Sequence, residues 1–408
     1  MSTSPAVREA ASPYVVISAD THAGASIQDY REYLEPKYRE EFDTWRGTDR
    51  NPQKEHMGSK KHKNWDDAER MRDMQTEGVV GEVIFPNTVP PFFRTSVLIC
   101  GNPRPEDYPM RLQGIRAHNR WLADWCAEYP DQRAGIGIVY LNDIDEAIAD
   151  VKWIASHGLR GGILLPHVPD DCTSYIKPLY APDYERFWAV CQDLGVVLNH
   201  HGGTGSPDYG RYPISLPIRL IETPFFSTRS YGQLILSGVF ERYPKLQYIN
   251  TEAGCAWVPE TLARLDFAWE RIRKGAAGEF EFAKGVATPE PPSFYAKRNC
   301  WYGASSPSPR EIRDRHAIGI EHILWGSDYP HYEGTYPHTR LALRHTFHDV
   351  DRAEVRAMLG ENAARLYHFD LEKLAALSEK YAPTPEEVAV PLAEHEFPTN
   401  VHTAAFRR

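Results

Sequence analysis

AGIGIVYLNDIDEAIADVKWIASHGLRGGILLP, residues 134–166, reads as strand, helix, strand. The runs 134–141 and 160–166 are short, apolar and β-branched, and between them apolar residues recur with helical spacing. That spacing predicts a helix over 143–157, starting after Asn142 and stopped at Gly158, as capping chemistry requires. Outward from this unit the same alternation continues. Further strands are expected at YVVISAD (14–20), GEVIFPN (81–87), VVLNHH (196–201), LQYINTE (246–252), NCWYGAS (299–305) and HILWGSD (322–328). Helical segments at 65–77, 111–128, 182–194, 229–242, 258–273 and 308–318 separate them. Eight βα units in succession predict an α/β fold, a closed (β/α)8 TIM barrel, with chemistry at the carboxyl ends of its strands. No dinucleotide fingerprint follows any strand, which argues against an open doubly wound sheet.

Three connections, 23–64, 202–228 and 274–298, are too long for turns and predict long insertions after strands 1, 5 and 6. The expected organisation is an N-terminal tail (1–13), one barrel domain (14–377) and an extended C-terminal arm (378–408) punctuated by Pro383, Pro385, Pro391 and Pro398. A formal net charge of -10 over 408 residues excludes a nucleic-acid footprint. No apolar run is long enough to span a membrane, and the first thirteen residues do not read as a secretory signal. The six cysteines are scattered without C-x-x-C spacing, which suits a reducing, cytoplasmic compartment.

Polar residues gather at the expected strand ends. On strand 1, alternation places Val16, Ser18, Asp20 and His22 on one face. On strand 5 the same rule turns Asn199 and His201 inward and leaves His200 as the second choice of ligand. Asp328 closes the apolar strand 8, where a carboxylate is costly unless paired or metal-bound. Glu252, after strand 6, shares the parity of Asn250 and is a candidate further ligand, histidine partner or proton shuttle. His167, His200 and His331 are candidate substrate contacts, as are Trp301 and Tyr302 for an aromatic substrate. Basic residues Arg50, Lys54, Lys60, Lys61 and Lys63, beside His56 and His62, read mainly as a solvated loop face. An aspartate and histidine set of this kind suits one divalent ion, Zn, Mn or Fe.

The motifs ISADTH, LNHHGG, NTEAGCAWVP, ILWGSDYPH and LGENAARLYHFD together resemble the amidohydrolase-related family of metal-dependent hydrolases, in the branch that includes decarboxylases of the aminocarboxymuconate-semialdehyde and resorcylate type. The likeness runs from about residue 14 to about 370. It implies a barrel with a single catalytic ion, Zn foremost, held by Asp20, His22, His201 and Asp328, and a homodimer or higher homo-oligomer. Asp20 departs from the H-x-H pattern, and Glu252 stands where many members carry histidine. The leading expectation is hydrolysis of an amide, ester, lactone or thioester in a small aromatic or apolar carboxyl-containing substrate. In that reading Asp328 takes a proton from metal-bound water, with His201 and Glu252 assisting. The alternatives are a metal-dependent non-oxidative decarboxylase of an aromatic or unsaturated acid, and a catalytically silent binding barrel.

Overall fold

The computed structural model describes residues 12–48, 61–210, 212–399 and 401–407. Eight parallel strands stand in sequential order: β1 (Ile17–Ala23), β2 (Gly81–Pro86), β3 (Arg133–Ile138), β4 (Gly162–Leu164), β5 (Leu198–His201), β6 (Tyr248–Thr251), β7 (Cys300–Ser305) and β8 (Ile323–Gly326). The ring closes just beyond β8, where the Asp328 amide donates to Asp20 O (2.9 Å) and the His22 amide to Tyr329 O (2.7 Å). This is the (β/α)8 barrel that the alternation predicts. The helices packed around it are α1 (Asp67–Glu77), α2 (Tyr108–Ala127), α3 (Ile144–Ser156), α4 (Glu185–Asp193), α5 (Ser215–Leu236), α6 (Val258–Arg273), α7 (Pro292–Asn299), α8 (Thr339–Phe347), α9 (Asn362–Tyr367) and α10 (Leu371–Tyr381). None of the described helices is long and apolar enough to cross a membrane.

Ile17, Val83, Ile136, Leu164, Val197, Ile249 and Leu324 fill the barrel interior. Val16, Leu198, Tyr248 and Trp325 pack outward against the helices. This in-and-out alternation is the period of a strand covered on both faces.

The insertions differ from their expected form. The 202–228 connection is not all loop: α5 begins at Ser215 and carries Pro224 inside it. Proline and exposed apolar residues masked that helix, because they break both the propensity and the amphipathic signal. The 274–298 segment holds a two-stranded hairpin, Ala276–Ala277 with Phe280–Glu281, and most of α7. Instead of one helix over 308–318 there are two single turns, Pro309–Ile312 and Arg315–Ile318.

The arm read as extended from Ser378 begins inside α10 and then forms a helical turn, Pro385–Val388, capped by the Thr384 hydroxyl. It lies along α8, where Arg340 pairs with Glu387 (2.8 Å) and Arg344 with Glu396 (2.7 Å). Residues 1–11 of the expected N-terminal tail lie outside the described residues.

One buried ion-pair network fixes β1 against β2. Arg70 of α1 is fully buried, donates to Glu82 of β2 (3.0 and 2.6 Å) and gives its remaining arm to His22 O (2.9 Å). The Thr21 hydroxyl donates to the same carboxylate (3.0 Å), and Arg133 lies 3.4 Å from it. Burial alone would raise the Glu82 carboxyl, but Arg70 and Arg133 hold it below its ordinary range. Glu82→Gln leaves the buried Arg70 guanidinium without a counter-charge and Arg133 with Asp67 alone, and is expected to cost about 3–5 kcal/mol at neutral pH, measured by urea denaturation. Because the folded-state pKa is depressed, the contribution is present above the unfolded value. The gap between wild type and variant should therefore narrow as pH falls through the folded one.

Candidate metal centre

Simple alternation on β1 fails at a bulge. Pairing aligns Ser18 with Glu82 and Thr21 with Ile84, so β1 spends one more residue than β2 over this stretch. Ile17 and Ala19 therefore face the interior, while the Ser18 hydroxyl turns outward to that of Ser327 (2.9 Å). Beyond the bulge the parity switches, and Asp20 and His22 face inward. The expectation that Ser18 and Asp20 share a face is corrected here, although the pair Asp20 and His22 still points one way.

β5 delivers His201 to the same space. Its Nδ1 donates to Gly202 O (2.8 Å), and its Nε2 lies 3.3 Å from Asp20 Oδ1. His200 points the other way, to the Tyr248 hydroxyl (3.0 Å). Asn250 also faces outward, donating to Ser227 O, so Glu252 does not reach the site by sharing its parity. Glu252 gets there because its backbone is left-handed, φ 58°, and Asp328 at the end of β8 does the same at φ 59°. Left-handed backbone costs of order 1–3 kcal/mol at a non-glycine residue and marks sites where function holds the strain.

The result is a compact donor set. Ligand atoms of Asp20, His22 and His201 lie within 4.8 Å of one another, as do those of His22, Asp328 and His331. His22 Nε2 stands 3.3 Å from Asp20 and 3.1 Å from Asp328, yet both its ring nitrogens are buried without a hydrogen-bond partner. A buried imidazole nitrogen facing two carboxylate oxygens without hydrogen-bond alignment has the geometry of a cation ligand, and the mixed N/O donors fit a divalent ion.

The neighbours complete the electrostatics. Burial would raise Asp20, but His201 and His22 hold it well below the carboxylate range; burial would raise Asp328 too, and His331 with His22 outweighs it, so that carboxyl also sits below its ordinary range. His331 bridges Asp328 (2.7 Å) and Asn87 (3.1 Å) and stacks on His22 at 4.0 Å. Burial disfavours its charge, but Asp328 raises it to about 10, so it stands behind that carboxylate as an imidazolium. Glu252, 3.2 Å from His201 Nδ1, is pushed up to about 8 by burial, opposed by His201 and reinforced by Asp328 and Asp20. Ser305 donates to the second oxygen of Asp20.

Asn87 and Ser305 escaped the sequence reading although both end apolar strand segments, the signal that singled out the others. Two expected substrate contacts are misplaced. Trp301 sits at the amino end of β7, donates to Gln247 (2.7 Å) and packs on His322. Tyr302 faces outward, with its hydroxyl 2.9 Å from that of Tyr231. Both belong to the packing, because one lies at the wrong end of the strand and the other on its wrong face. His167 and His200 stack at 3.8 Å behind the centre. Of the basic cluster, Lys63 is buried on Glu69 (2.7 Å) and Asp73; Arg50, Lys54, His56, Lys60 and the Lys61 side chain lie outside the described residues.

The amidohydrolase family model matches residues 106–369. The gamma-resorcylate decarboxylase of Rhodococcus jostii is 27% identical over 195 residues, 43% of this chain and 56% of that protein, so the match spans little more than half of the relative's length. Among solved structures, the 5-carboxyvanillate decarboxylase of Sphingomonas paucimobilis has a TM-score of 0.64 at 19% identity, covering 87% of this chain and 99% of that one. A dihydroxybenzoic acid decarboxylase of a Polaromonas species, with bound manganese and 2-nitroresorcinol, has a TM-score of 0.60 at 17% identity, covering 87% and 97%.

These relatives are decarboxylases of aromatic acids, which overturns hydrolysis as the leading reading and favours the decarboxylase alternative. With the family model running from the start of α2 to the end of α9 on a closed barrel, this chain belongs to the amidohydrolase family of enzymes.

Proposed function

We propose that this enzyme is a divalent-metal-dependent, non-oxidative decarboxylase of a small aromatic acid, with Asp20, His22, His201 and Asp328 as the metal ligands. The observation that carries it is the buried His22 ring, unpartnered at both nitrogens, facing the carboxylates of Asp20 and Asp328. Two carboxylates among the four donors, and the manganese of the Polaromonas enzyme, support Mn over the Zn that the sequence resemblance implies. When bound, the ion supplies a Lewis-acid anchor for substrate oxygen atoms.

The chain's own residues handle the proton. The ring carbon that bears the carboxylate gains a proton, the electron pair of the breaking C–C bond returns to the ring, and carbon dioxide leaves. Asp328 faces that position with His331 hydrogen-bonded behind it, a pair suited to deliver and replace the proton. Glu252, which keeps its proton up to about pH 8, donates a hydrogen bond to a substrate oxygen at the mouth. The homo-oligomer implied by the resemblance has support in the exposed side chains Leu220, Ile221 and Phe225 along α5.

Elemental analysis of protein purified without chelator should find about one transition-metal ion per chain in wild type and His200→Ala, and much less in His201→Ala and Asp328→Asn. Metal retained in the last two, or absent from wild type, would sink the ligand assignment.

Incubation of the manganese-loaded enzyme with hydroxylated benzoic acids in deuterated water should release carbon dioxide and place deuterium on the ring. Asp328→Asn should lower kcat by roughly 10²–10⁴-fold. Solvent oxygen entering a product, with no carbon dioxide, would refute decarboxylation.

A further inference from the structure

A cavity of about 60 Å³ opens at the same end of the barrel as the candidate metal centre, between the ends of β3, β4 and β5 and the Leu98–Asn102 segment, with none of the candidate ligands on its lining. Its apolar walls include Leu98, Ile138 and Leu164, the surface a ring would need. Two polar groups on its lining lack the partners that buried polar groups normally find, and a third, Arg219, makes no ion pair. His167 is 5% exposed; its Nδ1 is bound to the Ser230 hydroxyl (2.7 Å), and its Nε2 has no hydrogen-bond partner. The Ser206 hydroxyl is buried and equally unpartnered. Arg219 donates through Nη2 to the carbonyls of Ile99 (3.0 Å) and Gly203 (3.2 Å), and no carboxylate lies within ion-pairing distance among the described residues. The acid whose charge reaches it, Asp208, accepts from the Gly210 amide (2.9 Å) and makes no ion pair with it, and Glu222 is engaged by the Tyr209 hydroxyl (2.6 Å).

The three groups are held in place. The His167 ring is sandwiched between His200, at 3.8 Å, and the backbone of Gly205, where a Cβ would come within 2.8 Å of the ring. Gly205 also has φ +79°, so the loop that lays Ser206 over the cavity depends on glycine there. Gly203, whose carbonyl steadies Arg219, is two residues from the candidate ligand His201, which ties this cavity to the reacting end. Burial keeps the His167 ring neutral, with its pKa at about 3. In the tautomer whose Nδ1 accepts from the Ser230 hydroxyl, Nε2 carries the proton and is a donor without a partner.

A guanidinium without a counter-ion and two spare donors on one apolar-walled cavity form a carboxylate receptor. We propose that this cavity is the subsite for a second anionic group of the substrate, one that is retained in the product, with Arg219 as its counter-ion and His167 Nε2 and the Ser206 hydroxyl as donors. The substrate class is then an aromatic acid carrying two anionic groups rather than one. The inference rests on the decarboxylase reading for the fate of the first carboxylate, but not for the existence of the subsite.

Titration calorimetry on the manganese-loaded full chain, with isophthalate and benzoate as unreactive probes, separates the two. Isophthalate should bind roughly 10- to 100-fold more tightly than benzoate, the range expected for charge-assisted hydrogen bonds to an anion. Arg219→Gln should abolish that preference at unchanged metal content, and Arg219→Lys should restore part of it. Ser206→Ala should reduce it in the same direction, which keeps the test open if the arginine variants fold poorly. Equal binding of the two probes by wild type would overturn the proposal. So would an Arg219→Gln variant that loses both in proportion, because the only carboxylate would then sit there. A preserved isophthalate preference with no carbon dioxide from any acid would leave the subsite standing and remove the reaction.

Discussion

Two carboxylates, Asp20 and Asp328, are buried against the same imidazole at the seam where the barrel closes, and the architecture around them answers that concentration of negative charge. Asp20 is fully buried and Asp328 nearly so. Such groups persist as ions only when opposite charge or hydrogen-bond donors replace the lost water. His201 and Ser305 answer Asp20, His331 answers Asp328, and His22 lies between the two. A divalent ion held there, as proposed, would complete the compensation.

The seam is also where local backbone rules are broken. The β1 bulge, the left-handed Glu252 and the left-handed Asp328 all occur at strand ends around one point. Each conformation costs free energy, and each is held by surroundings that leave little alternative. The Arg70 network fixes the His22 carbonyl, and the backbone bonds between Asp328 and Asp20 and between Tyr329 and His22 lock β8 to β1. The candidate ligands are thus held by buried hydrogen bonds, an arrangement that would let the protein set the geometry of a bound ion.

A division of labour follows across the barrel mouth. Strands β1, β5 and β8 present the charged donors, while β3, β4 and the loop after β5 present an apolar cavity with a few unpaired donors. In barrels of this kind such a separation lets loops change specificity without disturbing the strands that carry the chemistry.

The sequence by itself determined the strands, their parallel order and the residue types at their ends. Hydrophobic periodicity and strand-end chemistry are local properties that need no partner. That His201 rather than His200 faces the barrel interior was likewise legible, because β5 is regular. The β1 bulge was not, because an extra residue shows only when the strand is paired with β2. The route by which Glu252 enters the site depends on a backbone φ that no side-chain pattern encodes. Trp301 and Tyr302 looked like a pocket by composition, and only their height and face on β7 show them to be packing. The cavity at Arg219 was invisible because its parts, from Leu98 to Arg219, are distant in sequence. Tertiary structure alone decided these points, since each depends on which strand, backbone angle or neighbouring charge a residue meets once the barrel has closed.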